Sequence, residues 1–386
     1  MDWRNDVFVA GQDGYHTYRI PALAVSSKGT VLAFCEGRRN SQADYGDIDL
    51  LLKRSTDNGR TWSDAIVVQE EQGNVTIGNP VPIIVRDDDR IHLLFTRDNK
   101  RMFYTYSDDD GLTWSKRREL TAILDGFDYP ERVLIATGPV HGIQTTEGRL
   151  IAPVWLSDRE FYGRHQDQVF TRIRAGIVFS DDNGETWQAG GLVPAEINRL
   201  HEATVVELSD GSLMINMRVF DNKSGFRAVS TSQDGGETWS SPTLDKQLPC
   251  PVCQGAMLSL GRGKVLFLNP AHSNTSGTWN VSLRKDLTLR LSLDDARTWP
   301  HSVVVHQGPA GYSDVAAVDS GEILCLFENG EKDYMERISI AGISTERLLQ
   351  SSLSGRAQGP TGSVATQPPL SPQKHPPISI RSAPPG

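Results

Sequence analysis

No stretch of this chain stays apolar for the roughly 18–20 residues that a bilayer-spanning helix needs, which excludes a helical membrane span. Cysteine is scarce, with four in 386 residues. That is too few for a disulfide framework to hold a chain of this length. Cys250 and Cys253 have redox-like spacing but no second pair, and a zinc site normally has four ligands, so they read as plain loop. The opening Met1-Asp-Trp-Arg-Asn-Asp has no charged-then-apolar signal pattern. Low cysteine content suits a reducing compartment, and the expected location is cytoplasmic. Positive charge is also short: 39 Lys and Arg face 48 Asp and Glu, for a net charge of −9. Acidity of this order argues against a nucleic-acid partner. Any anionic ligand must therefore be gripped by a local cationic cluster, not by the global field.

The segment from Ser351 to Gly386 has no acidic residue and no Phe, Tyr or Trp, yet holds 8 of the 21 prolines. Such a composition cannot bury enough apolar surface to offset its ordering entropy. The expected organisation is one domain over 1–349 and a Pro/Ser-rich disordered tail over 350–386. The tail carries Arg356, Lys374 and Arg381, so the remainder has a net charge of −9 − 3 = −12.

What the chain has in quantity is one short pattern, five times over. It reads Ser55-Thr-Asp57-Asn-Gly59-Arg-Thr61-Trp62, and recurs from Ser107 to Trp114, Ser180 to Trp187, Ser232 to Trp239 and Ser292 to Trp299. Self-similarity at about 50 residues signals a propeller of four-stranded antiparallel blades. Ser and Asp side chains hydrogen-bond backbone in tight turns, and Gly permits positive φ. Trp then supplies a large apolar plug where the next strand resumes. Ala296 replaces Gly in the fifth copy, so that turn is expected to be adjusted or strained.

Several basic residues fall where strands meet loops. Tyr18-Arg19-Ile20-Pro21 opens a strand with a proline inside it, which is tolerated mainly on an edge. The innermost strand of a propeller blade has such an edge facing the central channel, and Arg19 is placed at its mouth. The strand from Thr30 to Cys35 leads into a polar loop bearing Arg38, Arg39, Asp44, Asp47 and Asp49. Residues 203–208 and 212–219 form a hairpin preceded by Glu202 and containing Arg218. Arg284 precedes the fifth repeat, and Tyr312 follows Pro309-Ala-Gly311.

Together, Tyr18-Arg19-Ile20-Pro21 and the five repeats resemble the exo-α-sialidases (neuraminidases) of the bacterial and animal type. The resemblance runs from Asp2 to about Leu349. It implies a six-bladed β-propeller with its site over the axis and the repeats, the family's Asp boxes, on the outer rim. It also implies that terminal sialic acids are hydrolysed from glycoproteins, glycolipids or oligosaccharides; separately, no metal-ligand cluster in the sequence calls for a cofactor. A trans-sialidase or an inactive sialic-acid-binding propeller is the alternative.

The substrate's chemistry makes the implied site intelligible. Sialic acid has a carboxylate on its anomeric carbon, and planar, permanently charged arginines suit a carboxylate. By motif these are Arg19, Arg218 and Arg284, with Arg227 and Arg290 close by as rivals for the last two. Arg38 resembles a further substrate arginine, with Arg39 adjacent. A carboxylate nucleophile about 4 Å from the substrate's carboxylate would cost roughly 4 kcal/mol at an effective dielectric near 20. Sialidases avoid this with a tyrosine nucleophile. The resemblance places that role on Tyr312 and its proton acceptor on Glu202, though His201 before it departs from the usual pattern. Asp44 matches the acid/base, with Asp47 as rival, and Glu328 matches the glutamate that orients the first arginine.

Overall fold

A computed structural model describes residues 1–351 except 87, 130–131, 159–171, 221–222 and 277–279. The expected tail therefore lies outside the described residues from 352 onward. Runs of β-branched, leucine and aromatic residues broken by the box turns form strands throughout. The chain opens with β1 (Trp3–Val9). One sheet follows, made of β2 (Thr17–Val25), β3 (Val31–Arg38), β4 (Ile48–Ser55) and β5 (Ile66–Gln69). A second holds β6 (Ile77–Ile84), β7 (Ile91–Arg97), β8 (Arg101–Ser107) and β9 (Arg118–Glu119). The third has β10 (Leu134–Thr137), β11 (Ile143–Gln144), β12 (Leu150–Ser157), β13 (Ile173–Ser180) and β14 (Gln188–Leu192); β10 and β11 both pair with β12. The fourth comprises β15 (Leu200–Glu207), β16 (Leu213–Val219), β17 (Phe226–Ser232) and β18 (Thr243–Pro249). The fifth runs through β19 (Ala256–Gly261), β20 (Lys264–Pro270), β21 (Lys285–Ser292), β22 (His301–Ala317), β23 (Glu322–Asn329) and β24 (Arg337–Ser344), and takes β1 as its outer strand. A short helix, α1 (Thr345–Gln350), ends the described chain.

The all-β, propeller-like arrangement matches expectation, but six separate blades do not. The described residues form five sheets, of four, four, five, four and seven strands. The physical reason is β22, which runs for 17 residues without a break. Its first half pairs with β21, from Leu291↔His301 to Lys285↔Pro309. Its second half pairs with β23, from Ala310↔Asn329 to Ala317↔Ile323, so one hydrogen-bonded ladder continues into the next.

The sheets pack face against face. One apolar cluster joins Ile151, Trp155 and Ile177 of the third sheet to Val205, Ile215 and Met217 of the fourth. Another joins Val81, Leu94 and Tyr104 of the second to Leu150 and Val154 of the third. Strands covered on both sides are mostly apolar, and all eight residues of both β3 and β12 are buried, the charged Glu36 and Arg38 of β3 among them. Inner strands lie side by side around one axis: β22 against β2, β2 against β6, β15 against β19, and β19 against β22.

All five boxes close the same way. The Ser hydroxyl donates to the Asp carboxylate at 2.7–2.8 Å. It also accepts the N–H of the residue four positions on, at 2.8–2.9 Å. The Asp in turn accepts the Thr N–H at 2.8–2.9 Å. Ala296 takes part in the same network with φ of 60°, so the fifth turn keeps its shape and the alanine bears the left-handed conformation.

Candidate active site

The inner strands do not run straight into the axis. Register slips between Arg19 and Ala22, Gly78 and Val81, His201 and Ala203, and Ala310 and Ser313. A bulge re-aims the side chains beside it. Ile20, Glu202 and Val252 have φ of 59°, 39° and 57°. Such conformations cost of order 1–3 kcal/mol each and persist only where the surroundings hold them.

Arg19 sits on the first bulge, 4% exposed, with Nε 2.7 Å and Nη2 3.3 Å from the two oxygens of Glu328. Glu328 is fully buried and also accepts the backbone N–H of Ile20 (2.9 Å) and of Tyr312 (3.0 Å). One carboxylate thus fixes the first arginine and the backbone of the tyrosine together. Gly311 makes this approach possible, because a Cβ there would stand 2.3 Å from Glu328 Oε2. Burial alone would lower the pKa of Arg19, but Glu328 and Tyr334 outweigh it and hold the charge.

The other two arginines meet at the same phenol. Arg218 Nη1 donates to the Tyr312 hydroxyl at 2.9 Å and also to Glu202 Oε2. The guanidinium carbons of Arg19 and Arg284 lie 5.3 and 5.5 Å from the centre of the Tyr312 ring. Arg284 is buried, and its Nη2 donates to the Val252 carbonyl at 2.8 Å. The rivals make other bonds: Arg227 is tied to Asn216 Oδ1 (2.7 Å) and the Cys253 carbonyl (2.8 Å), and Arg290 to Asn269 (2.9 Å).

Tyr312 donates its hydroxyl hydrogen to Glu202 Oε1. Burial, then the negative charge of Glu202, push the phenol pKa up, while Arg218 and Arg284 pull against them. The phenol is therefore protonated at neutral pH. Beneath it, Ile20 and Cys253 pack as a small apolar floor.

Asp44 faces this group from the loop after β3, its side chain 53% exposed. Oδ1 lies 2.8 Å from Arg38 Nη1 and 3.5 Å from Arg19 Nη1. Burial acts upward on its pKa, yet Arg38 and Arg19 prevail and hold it below the ordinary aspartate value. Arg38 is itself anchored at 2.7 Å by Glu36, whose own pKa burial raises despite that arginine. Asp47 and Arg39 belong to a different cluster, in which Arg39 bonds Asp49 at 2.5 Å and Asp47 lies 3.7 Å away.

All eight residues singled out from the sequence thus surround one point, but four contributors went unseen. Glu36 anchors Arg38, Cys253 floors the site, and Tyr334 lies against two arginines. The fourth is Asp314, two residues after Tyr312 on β22. It sits beneath the tyrosine and accepts N–H bonds from Leu23, His141 and Val315. Nothing in spacing marks Tyr334; Glu36 could have been flagged as an acid inside an otherwise apolar strand.

The profile of the BNR repeat-like domain matches residues 3–325. The chain belongs to the BNR repeat-like family. This BNR repeat-like chain is 32% identical over 363 residues to a sialidase of Micromonospora viridifaciens, across 84% of its own length and 52% of the relative's. It thus spans about half the length of that relative. To Sialidase-3 of Mus musculus it is 28% identical over 392 residues, covering 86% of this chain and 92% of that one. Among solved structures, the Hadza microbial sialidase Hz136 superposes with a TM-score of 0.76 at 27% identity, over 89% of this chain and 69% of that one.

Proposed function

We propose that this protein is an exo-α-sialidase, a retaining glycoside hydrolase that releases terminal sialic acid from sialylated glycans through a tyrosyl-linked intermediate. The observation that carries the reading is the meeting of three buried arginines at one phenol, itself hydrogen-bonded to a carboxylate. Relatives named sialidase support it. In this reading Arg19, Arg218 and Arg284 take the substrate carboxylate. The Tyr312 oxygen attacks the anomeric carbon while Glu202 accepts its proton, and Asp44 protonates the departing glycosidic oxygen. Water, deprotonated by Asp44, then displaces Tyr312 from the anomeric carbon by breaking the aryl glycosidic C–O bond, and Glu202 returns the proton to the phenolate. Two displacements at one carbon give net retention. We also count the propeller as six blades, with the seven-stranded sheet as two joined at the middle of β22.

The test is proton NMR of the first product from an α-sialoside. The α-anomer of free sialic acid should appear first and then mutarotate. An initial β-anomer would mean a single displacement and end the tyrosyl mechanism; no release at all would end the sialidase reading.

A further inference from the structure

We infer that Tyr334 is a positioning residue that sets the spacing of the Arg19 and Arg284 guanidiniums for a carboxylate; this rests on the sialoside-binding reading of the site. Tyr334 lies between β23 and β24 and is 6% exposed. Its ring centre is 5.4 Å from the guanidinium carbon of Arg19 and 5.4 Å from that of Arg284. The corresponding distances to the Tyr312 ring are 5.3 and 5.5 Å. Two cations and two phenols therefore alternate, with Arg19 against both rings and Arg284 against the Tyr312 ring and the hydroxyl end of Tyr334. Buried guanidiniums that converge repel each other, and aromatic faces offset part of that repulsion without competing for the carboxylate.

The ring has little freedom to move. Arg284 Nη1 donates to the Tyr334 hydroxyl at 3.3 Å. The carboxylate of Glu336 accepts the backbone N–H groups of Glu331 (3.0 Å), Lys332 (2.8 Å) and Asp333 (3.0 Å), closing the segment on itself. A Cβ on Gly311 would stand 2.5 Å from Tyr334 Cδ2, so the ring presses directly on the backbone before Tyr312. The two phenols differ in chemistry as well. Tyr312 donates its hydroxyl to a carboxylate, whereas the Tyr334 hydroxyl receives a bond from an arginine. Tyr334 acts on substrate only through the two guanidiniums.

The test replaces Tyr334 with Phe, with Leu, and, by codon suppression, with phenylalanines of increasing ring fluorination, all in the full chain. Each variant is assayed on an aryl α-sialoside, and its affinity for free sialic acid is measured by calorimetry. Tyr334→Phe should stay close to wild type. Fluorination, which keeps shape but drains the ring face, should raise KM and Kd in step, reaching about tenfold, with kcat nearly unchanged because binding before the chemical step is what is lost. Tyr334→Leu should be at least as weak. A purely space-filling ring would leave the fluorinated series flat, and that result overturns the inference even if the Leu variant does not fold. A wild type that neither binds sialic acid nor cleaves the sialoside overturns the site reading and this inference with it; an active wild type with a flat series overturns only the role of Tyr334.

Discussion

Asp44 poses the sharpest question at the scale of single residues. With Arg38 at 2.8 Å and Arg19 at 3.5 Å, its pKa is lowered from an ordinary value of 3.8, so it is an anion at neutral pH before substrate arrives. A proton donor has to be protonated when the leaving group departs. In the proposed mechanism the substrate carboxylate resolves this: on binding it would share the charge of Arg19, and the bound sugar would exclude water from a side chain that is half exposed. Both changes move the Asp44 pKa upward. The ionisation that disappears in Asp44→Ala should therefore fall at higher pH in kcat, which reports the complex, than in kcat/KM, which reports the free protein. Equal values in the two profiles would rule the argument out. The same variant should slow release of a sugar leaving group by about 10²–10⁴-fold, and release of an activated aryl group far less. Comparable losses on both substrates would remove Asp44 from the proton-transfer step.

At the scale of elements, the boxes show what a sequence discloses and what it conceals. The Ser–Asp–Thr hydrogen bonds of each box close within eight residues, so Ser, Asp and Gly at fixed offsets carry the turn and can be read directly. Gly184 illustrates the constraint: φ is +83° and a Cβ would lie 2.6 Å from both His92 Nδ1 and the Tyr104 hydroxyl. Those two groups are bonded to each other at 2.8 Å and cannot both retreat. Gly184→Ala should cost about 2–5 kcal/mol, the left-handed penalty plus overpacking. Ala296→Gly relieves about 1–2 kcal/mol of strain but loses a buried methyl worth about 0.8 kcal/mol and loosens the unfolded chain by about 0.4–1 kcal/mol. Its net effect should be under about 1 kcal/mol, which explains why alanine is tolerated there. Urea midpoints decide both; an unperturbed Gly184→Ala would show that the turns are not locked. The inner-strand bulges are the opposite case. The left-handed φ of Ile20 and Glu202 depends on packing around the axis, and no local pattern announces it. For the same reason Arg19 and Tyr312 could be placed by motif, while Tyr334, which matters only through tertiary contact, could not. The uninterrupted course of β22 was equally hidden, since Gly308, Pro309 and Gly311 read as a break between strands.

The whole molecule has to close a ring, and two devices do so. At the rim, β1 pairs with β24 from Trp3↔Gly342 to Val9↔Arg337, joining the first residues of the chain to its last strand. Near the axis, Asp314 on β22 ties together segments that are distant in sequence. Its Oδ2 accepts the N–H of Leu23 (2.8 Å) and of His141 (3.0 Å); Oδ1 accepts the N–H of Val315 (2.8 Å) and the Nδ1–H of His141 (2.7 Å). Four donors around a fully buried carboxylate leave no place for an amide NH₂, so Asp314→Asn sets donor against donor. By analogy with breaking a buried ion pair it should cost about 3–5 kcal/mol. The imidazole adds a pH signature. Burial lowers the pKa of His141, but Asp314 raises it more, and the net value lies above the ordinary 6.5. A folded-state pKa above the unfolded one means the pair's contribution is complete below about pH 6.5. It then declines as pH rises through the folded value. Wild-type stability, followed by urea unfolding from pH 5 to 9, should therefore contain a falling component on the alkaline side that His141→Gln lacks. If both proteins show the same slope across that range, His141 is not charged in the fold, and Asp314 closes the ring by its backbone hydrogen bonds alone.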